Sequence, residues 1–138
     1  MPRHTYSHRP ALVLLADDDP LVRMLQAEIL QEAKFHVVEA QSADQAFEIL
    51  RRRPDVDIVV TDVQMPGSIN GFEFARLIAQ GWPEIGVLVV SGMTAPKPGD
   101  LPDKALFARK PVKPADLVER VRVALEQATG SRSVGTSY

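Results

Sequence analysis

The sequence contains no cysteine, which excludes disulfide bonds and thiolate metal sites. It also lacks a long apolar run: stretches such as ALVLLA and VLVV fall far short of the roughly 20 residues that a membrane-spanning helix needs. The first ten residues are polar and lack the apolar core of a secretory signal. A net charge of -2 offers no general attraction for nucleic acid or an anionic membrane. We therefore expect a cytoplasmic protein that binds neither nucleic acid directly nor a membrane.

The length and composition suit one folded domain with a tail at each end. A chain of 138 residues can bury roughly 68% of its unfolded surface around a single core. Contents of 45% apolar and 25% charged residues are ordinary for a globular protein. Residues 1–10 and 129–138 are polar and without periodicity, so flexible tails are expected there. The folded domain is predicted to span residues 11–128.

Five short apolar runs alternate with helical patterns along this domain. The runs that predict strands are ALVLLA, FHVVEA, VDIVVTD, IGVLVVSG and ALFARK. Helical patterns follow the first, second, third and fifth of them. Strands that are apolar throughout need cover on both faces, and the helices that connect them supply it. The pattern therefore indicates a doubly wound α/β fold with a parallel sheet.

Local signals predict where the helices begin and which residues form their apolar faces. Asp19 is predicted to cap the first helix, with Pro20 at its first position. Ser42 and Gln45 are predicted to form a capping box for the second helix, and Gly81 marks the end of the third. The apolar stripes of the first, third and last helices contain, in that order, Leu21, Leu25 and Ile29; Phe74, Leu77 and Ile78; and Leu117, Val121, Ala124, Leu125 and Ala128.

One interval between the fourth and fifth strands interrupts the alternation. The stretch MTAPKPGDLPDK holds three prolines and a glycine in twelve residues, a composition that disfavours a helix interior. We expect at most a short helical turn at residues 103–105. The fourth connection of the sheet is therefore predicted to lack a regular helix.

Polar residues follow the predicted strands where the chain leaves the sheet. These residues are Asp17, Asp18, Asp19, Asp62, Ser91 and Lys110. In an open parallel sheet the carboxyl ends of the strands form the ligand-binding edge, so these groups are expected to converge there. Oxygen ligands without His or Cys suit Mg²⁺, and an aspartate can itself accept a phosphoryl group whose charge a metal and a lysine neutralise.

Four motifs in this order make the chain resemble the receiver domains of two-component response regulators. The motifs are LLADDDP, VVTDVQMPG, VVSG and ARKP, each at a predicted strand end between residues 11 and 128. The resemblance implies a flavodoxin-like sheet of strand order 2-1-3-4-5. It also implies a switch that accepts a phosphoryl group from a histidine kinase or a histidine phosphotransferase, with Mg²⁺ bound.

The resemblance assigns the phosphoacceptor and its metal site. Asp62 matches the family's phosphoacceptor, and Lys110 matches its lysine. Asp18 corresponds to a direct Mg²⁺ ligand and Asp17 to one that acts mainly through water. Asp62 itself and the backbone carbonyl of Gln64 complete the implied ligand set.

Further positions match the switch elements of the family. Ser91 corresponds to its Ser/Thr hydroxyl, and Phe107 to an aromatic residue that rotates on activation. Asp19 falls just past the acidic pair, so the helix cap suits it better than a metal role. The family's Lys-Pro bond is commonly cis, and the sequence alone leaves the state of Lys110-Pro111 open.

Two features depart from the family pattern. The loop from Asp62 to Gly71 is one residue longer than the commonest form. The proline-rich interval occupies the place of the family's fourth helix, which together with its neighbours usually forms the signalling and dimer face. We therefore expect a monomer or a weak dimer, and an altered aromatic relay through Phe107.

Two alternatives remain open from the sequence. In a haloacid dehalogenase-like phosphatase, Asp17 would be the nucleophile and Asp19 the acid/base. However, Leu21 replaces the expected Thr or Val, no acidic metal motif follows Lys110, and Asp62 would have no role. The second alternative is a pseudo-receiver that binds partners without phosphorylation, although the full acceptor set is present. The favoured interpretation is a phosphoacceptor rather than an enzyme, acting as a stand-alone regulator, shuttle or phosphate sink unless the chain is a fragment.

Overall fold

The computed structural model describes residues 9–64, 69–92 and 95–134, with only the helical backbone described for 129–134. Five strands form one sheet: β1 (Leu12–Ala16), β2 (His36–Ala40), β3 (Ile58–Asp62), β4 (Gly86–Ser91) and β5 (Leu106–Arg109). Four helices are described: α1 (Pro20–Glu32), α2 (Ala43–Arg52), α3 (Gly71–Gly81) and α4 (Pro114–Val134).

The sheet is parallel throughout, with the strand order β2-β1-β3-β4-β5. The three central strands, β1, β3 and β4, bury their two faces in separate apolar clusters. One cluster joins the sheet to α2 and α3, and the other joins it to α1 and α4. The predicted doubly wound α/β fold and its 2-1-3-4-5 order are confirmed.

The helix caps follow the sequence signals with one exception. Asp19 accepts hydrogen bonds from the backbone N–H groups of Leu21 and Val22, as expected of a helix cap. Ser42 likewise accepts from the N–H of Gln45, but the Gln45 side chain accepts from Gln41 rather than from Ser42. The predicted capping box of α2 is therefore only half formed. A complete capping box instead begins α3, between Asn70 and Glu73, where the sequence analysis did not predict one.

Of the apolar stripe predicted for α1, only Ile29 packs against the core. Leu21 is 59% exposed and Leu25 is 49% exposed, whereas the buried residues of the helix are Ala27 and Leu30. Leu77 of α3 is also 41% exposed, although Phe74 and Ile78 beside it are fully buried. Periodicity identified a stripe on each helix, but the angle at which the helix packs on the sheet decides which residues are covered.

The two ends of the domain differ from the predicted boundaries in detail. Helix α4 continues to Val134, six residues past the predicted end at Ala128. At the other end, the guanidinium of Arg9 lies 3.2 Å from Oδ2 of the buried Asp57, which also accepts the backbone N–H of Leu12. Residues 1–8 and 135–138 lie outside the described residues, so the flexibility of the tails stays a prediction.

The proline-rich interval contains no helix in its described part, residues 95–105. Instead, the N–H of Asp100 donates to the carbonyl of Lys97 across Pro98 and Gly99, and Gly99 has a φ of 89°. A proline followed by a glycine of positive φ is typical of a type II turn. Arg76 of α3 donates to the Asp100 carbonyl at 2.8 Å and connects the turn to the domain. The absence of a fourth crossover helix from the described residues agrees with the prediction.

Candidate functional site

Three carboxylates from two neighbouring strands meet at the carboxyl edge of the sheet. Asp17 and Asp18 follow β1, and Asp62 ends β3, which pairs with β1. One ligand oxygen from each lies within 4.8 Å of the other two. Asp17 is buried, Asp62 is partly buried and Asp18 is exposed. The group therefore combines an ordered interior carboxylate with one that is open to solvent.

Lys110 carries the positive charge of the site. Its ammonium group donates to Oδ2 of Asp17 at 3.2 Å and to Oδ2 of Asp62 at 3.3 Å. The backbone N–H of Lys110 donates to the carbonyl of Ser91 at 2.9 Å, which holds the end of β5 against β4. The structure thus brings together the predicted lysine, acceptor and acidic pair on one rim.

The surroundings raise the pKa of both the acceptor and the lysine. Burial raises the pKa of Asp62 above its ordinary value, and the nearby charge of Asp17 acts in the same direction. Lys110 and the backbone N–H of Gln64, which donates to the Asp62 carboxylate, oppose this rise in pKa. For Lys110, burial alone would lower the pKa, but the charges of Asp17 and Asp62 outweigh it and raise the pKa.

The other predicted site residues lie around this group. Ser91 is buried at the end of β4, one residue beyond the Cα partner of Asp62. Gln64 is exposed two residues after Asp62. Phe107 is partly buried in β5, packs against the cluster under α2 and α3, and accepts a hydrogen bond from Arg120 at its carbonyl. Their positions suit the assigned roles, which stay predictions.

Asp19 and the Lys110-Pro111 bond complete the immediate surroundings. The Asp19 side chain is occupied by the cap of α1, while its backbone N–H donates to Oδ1 of Asp17 at 3.0 Å. This division supports the interpretation of Asp19 as a cap. The Lys110-Pro111 peptide bond, which the sequence left open, is cis.

Arg23 is a neighbour of the site that the sequence analysis missed. It donates from Nη1 to the backbone carbonyl of Asp17 at 2.6 Å and from Nε to Glu39 of β2 at 2.9 Å. The guanidinium thereby joins α1 to the ends of β1 and β2. A contact to a backbone carbonyl has no sequence signature, although the position of Arg23 one turn after the cap of α1 places it near this edge.

The donor set fits a divalent cation with oxygen preference. Mg²⁺ binds through one or two carboxylates, keeps several waters and bridges to phosphate oxygens. Asp17, Asp18 and Asp62 offer such carboxylates within 4.8 Å of one another, and no sulfur or imidazole ligand belongs to the group. Their combined negative charge exceeds what Lys110 alone neutralises, so a cation would stabilise the group.

The chain is similar to known proteins along most of its length. The family model for the response regulator receiver domain matches residues 13–122. The hydrogenase transcriptional regulatory protein HoxA of Cupriavidus necator is 33% identical over 124 residues, which are 87% of this chain and 25% of HoxA. The response regulator receiver protein CpdR of Brucella abortus is 29% identical over 116 residues, 82% of this chain and 95% of CpdR.

Solved structures agree on the fold. The CheY-like receiver domain protein of Methanospirillum hungatei matches with a TM-score of 0.78 at 20% identity, covering 88% of this chain and 98% of that one.

The chain spans between 20% and 48% of the length of three of the curated relatives that it matches. Among the described residues, no helix is both long and apolar enough to cross a membrane.

Proposed function

The chain belongs to the response regulator receiver domain family, and on that premise we propose that Asp62 accepts a phosphoryl group from a phosphohistidine donor with Mg²⁺ bound. The observation that carries this proposal is the position of Lys110, which directly follows β5 and contacts both Asp17 and Asp62. A nucleophilic carboxylate beside a fixed ammonium and two further carboxylates matches the needs of phosphoryl transfer.

The transfer step is a displacement at phosphorus. An oxygen of the Asp62 carboxylate forms a bond to phosphorus while the bond from phosphorus to the donor imidazole breaks, and the leaving nitrogen keeps the electron pair. Lys110 stabilises the charge of the phosphoryl oxygens throughout. Mg²⁺, held by Asp17, Asp18, Asp62 and the carbonyl of Gln64, would supply further charge neutralisation when bound. Water later cleaves the acyl phosphate and restores the carboxylate.

The phosphorylated aspartate then acts as a switch. The added negative charge attracts the Ser91 hydroxyl, which lies at the end of the adjacent strand β4, and shifts an equilibrium that includes Phe107. A protein partner reads the surface around β4 and β5. The domain assists its own phosphorylation and dephosphorylation but is not an enzyme with a separate substrate. We place it in the cytoplasm, as a monomer or weak dimer.

The exposed apolar residues of α1 indicate where the donor docks. Leu21, Met24 and Leu25 are between 48% and 59% exposed on the helix that begins beside the acidic group. A groove of about 530 Å³ lies between α1 and the segment after β5. Its lining includes Leu25, Ile29, Lys110 and Val112. An apolar groove that ends at the lysine of the site suits an amphipathic helix of the phosphohistidine-bearing protein.

Two variants test the docking surface. Leu25→Asp is expected to slow transfer from a phosphohistidine donor at least tenfold while leaving labelling by acetyl phosphate unchanged, because the small donor needs no docking. Leu77→Asp is the matched control, since Leu77 is similarly exposed but lies on α3. Equal loss with both variants, or loss with acetyl phosphate, would contradict the assignment to α1.

Phosphopeptide mapping tests the function itself. Label from acetyl phosphate and Mg²⁺ is expected on Asp62 and absent from Asp62→Asn. Label on Asp17 would instead favour the haloacid dehalogenase-like phosphatase. A wild-type protein that responds to neither acetyl phosphate nor beryllofluoride at adequate Mg²⁺ would favour the pseudo-receiver.

A further inference from the structure

Gly71 packs directly on the backbone of the acceptor residue. The loop that leaves β3 after Asp62 returns at Gly71, the first residue of α3, and the Gly71 N–H donates to the carbonyl of Val63 at 2.9 Å. A Cβ atom placed on Gly71 would come within 2.8 Å of three backbone atoms: the carbonyl oxygen and carbon of Asp62 and the Cα of Val63. The two ends of the loop are therefore in contact with no room for a side chain.

This requirement concerns space rather than backbone conformation. Gly71 does not have a positive φ, unlike Gly99 in the proline-rich interval. Among the described glycines, Gly81 has no atom within 4 Å of such a Cβ, whereas Gly86 would meet the carbonyl oxygen of Ala124 at 2.9 Å. Gly71 and Gly86 thus share a backbone clash, but Gly86 begins β4 and lies at the opposite end of the sheet from the acceptor.

The carbonyl beneath Gly71 has a second contact. The hydroxyl of Thr61, a fully buried residue of β3, donates to the Asp62 carbonyl at 3.0 Å. Neither Thr61 nor Gly71 belongs to the acidic group. Both act on the peptide unit of Asp62, the residue whose carboxylate must also meet Lys110 at 3.3 Å.

We propose that Gly71 and Thr61 are positioning residues for the phosphoacceptor, which hold the peptide of Asp62 so that its carboxylate has the geometry for attack on phosphorus. The inference rests on the proposed function of Asp62. A methyl group at Gly71 must displace either α3 or the Asp62 peptide, because the three atoms nearest to it all belong to backbone. A displacement of about 1 Å at a reacting group is enough to lower a rate on the order of 100-fold.

Gly71→Ala and Gly86→Ala provide the test as a matched pair. Both variants are expected to lose thermal stability, but only Gly71→Ala is expected to lose about 10- to 100-fold in the maximal rate of labelling by acetyl phosphate at saturating Mg²⁺. Mg²⁺ affinity is measured separately by calorimetry, without a phosphodonor. Folded Gly71→Ala protein that is labelled as fast as Gly86→Ala would overturn the proposal.

A second pair keeps the test decisive if Gly71→Ala does not fold. Thr61→Val retains the buried volume without the hydroxyl and is expected to lower the labelling rate about fivefold, the effect of one hydrogen bond. Thr61→Ser retains the hydroxyl and is expected to remain near the wild-type rate. An unchanged rate in Thr61→Val would overturn the proposal. A wild-type protein without label on Asp62 would instead refute the proposed function.

Discussion

Lys110 and Asp62 are joined by a 3.3 Å hydrogen bond, although Lys110 follows β5, Asp62 ends β3, and β4 lies between these two strands. Neighbouring strands lie about 4.8 Å apart, so the lysine side chain extends across the end of β4 to reach the acceptor. Ser91 ends that intervening strand. The predicted switch hydroxyl is thus on the strand that the ion pair crosses.

Removal of the lysine charge is expected to reduce phosphoryl transfer. Lys110→Gln should lower the labelling rate by about 100- to 1,000-fold, the usual effect of losing a donor that stabilises developing charge. Lys113→Gln is the control, because Lys113 is exposed three residues further along the same connection. The rate of labelling is measured for both variants at saturating Mg²⁺. Comparable rates for Lys110→Gln and Lys113→Gln would exclude a direct role for Lys110.

The pKa of Asp62 predicts a cost in stability that depends on pH. Burial and the charge of Asp17 raise this pKa above the ordinary 3.8, so the ionised carboxylate is less favourable in the fold than in the unfolded chain. Without Mg²⁺, Asp62→Asn should therefore have a higher Tm than wild type at neutral pH. The difference should vanish below pH 3.8, where the carboxyl is protonated in both states, grow between pH 3.8 and the higher folded pKa, and stay constant above that pKa. Equal Tm values at neutral pH would contradict this expectation.

The three consecutive aspartates are expected to differ in their effect on Mg²⁺ binding. Asp18→Asn removes a charged ligand and should raise the Kd for Mg²⁺ by about tenfold or more. Asp19→Asn leaves a residue that caps helices equally well and should change the Kd by less than about threefold. Calorimetric titration compares the two variants. A larger effect from Asp19→Asn would assign the metal site differently.

The end of α1 offers a stabilising substitution. Lys34 has a φ of 77°, and its N–H and that of Phe35 donate back to Gln31 and Leu30, the pattern of a Schellman motif. Glycine adopts this conformation without steric cost, so Lys34→Gly should increase the free energy of unfolding by about 0.5–1 kcal/mol. Lys34→Ala keeps the strained backbone and should give no gain. Urea denaturation distinguishes the two outcomes.

The fold and the acidic group were predictable because their signals are local. Each strand contains a short apolar run, and Asp17, Asp62 and Ser91 stand immediately at strand ends. A parallel sheet then brings those ends to one edge without further information. Four short motifs were therefore enough to predict which residues meet at this edge of the sheet.

Other features depend on contacts between distant elements. Leu21 and Leu25 form a regular stripe, but α1 packs on the sheet through Ala27 and Leu30, and the spacing of residues does not reveal that rotation. The contact of Gly71 with Asp62 depends on how the eight-residue connection between β3 and α3 closes, which composition does not specify. These positions show that the spacing of apolar residues predicts helices and strands more reliably than it predicts how they pack.

The ion pair between Arg9 and Asp57 has a practical consequence for experiments with fusion proteins. Asp57 directly precedes β3, so it lies about 17 Å, five residues at 3.3 Å each, from the acceptor at the other end of the strand. A fluorescent reporter or affinity tag joined ahead of Arg9 would consequently emerge on the side away from the phosphodonor. Attachment at Arg9 therefore suits single-molecule or immobilisation assays in which the carboxyl edge of the sheet must stay accessible.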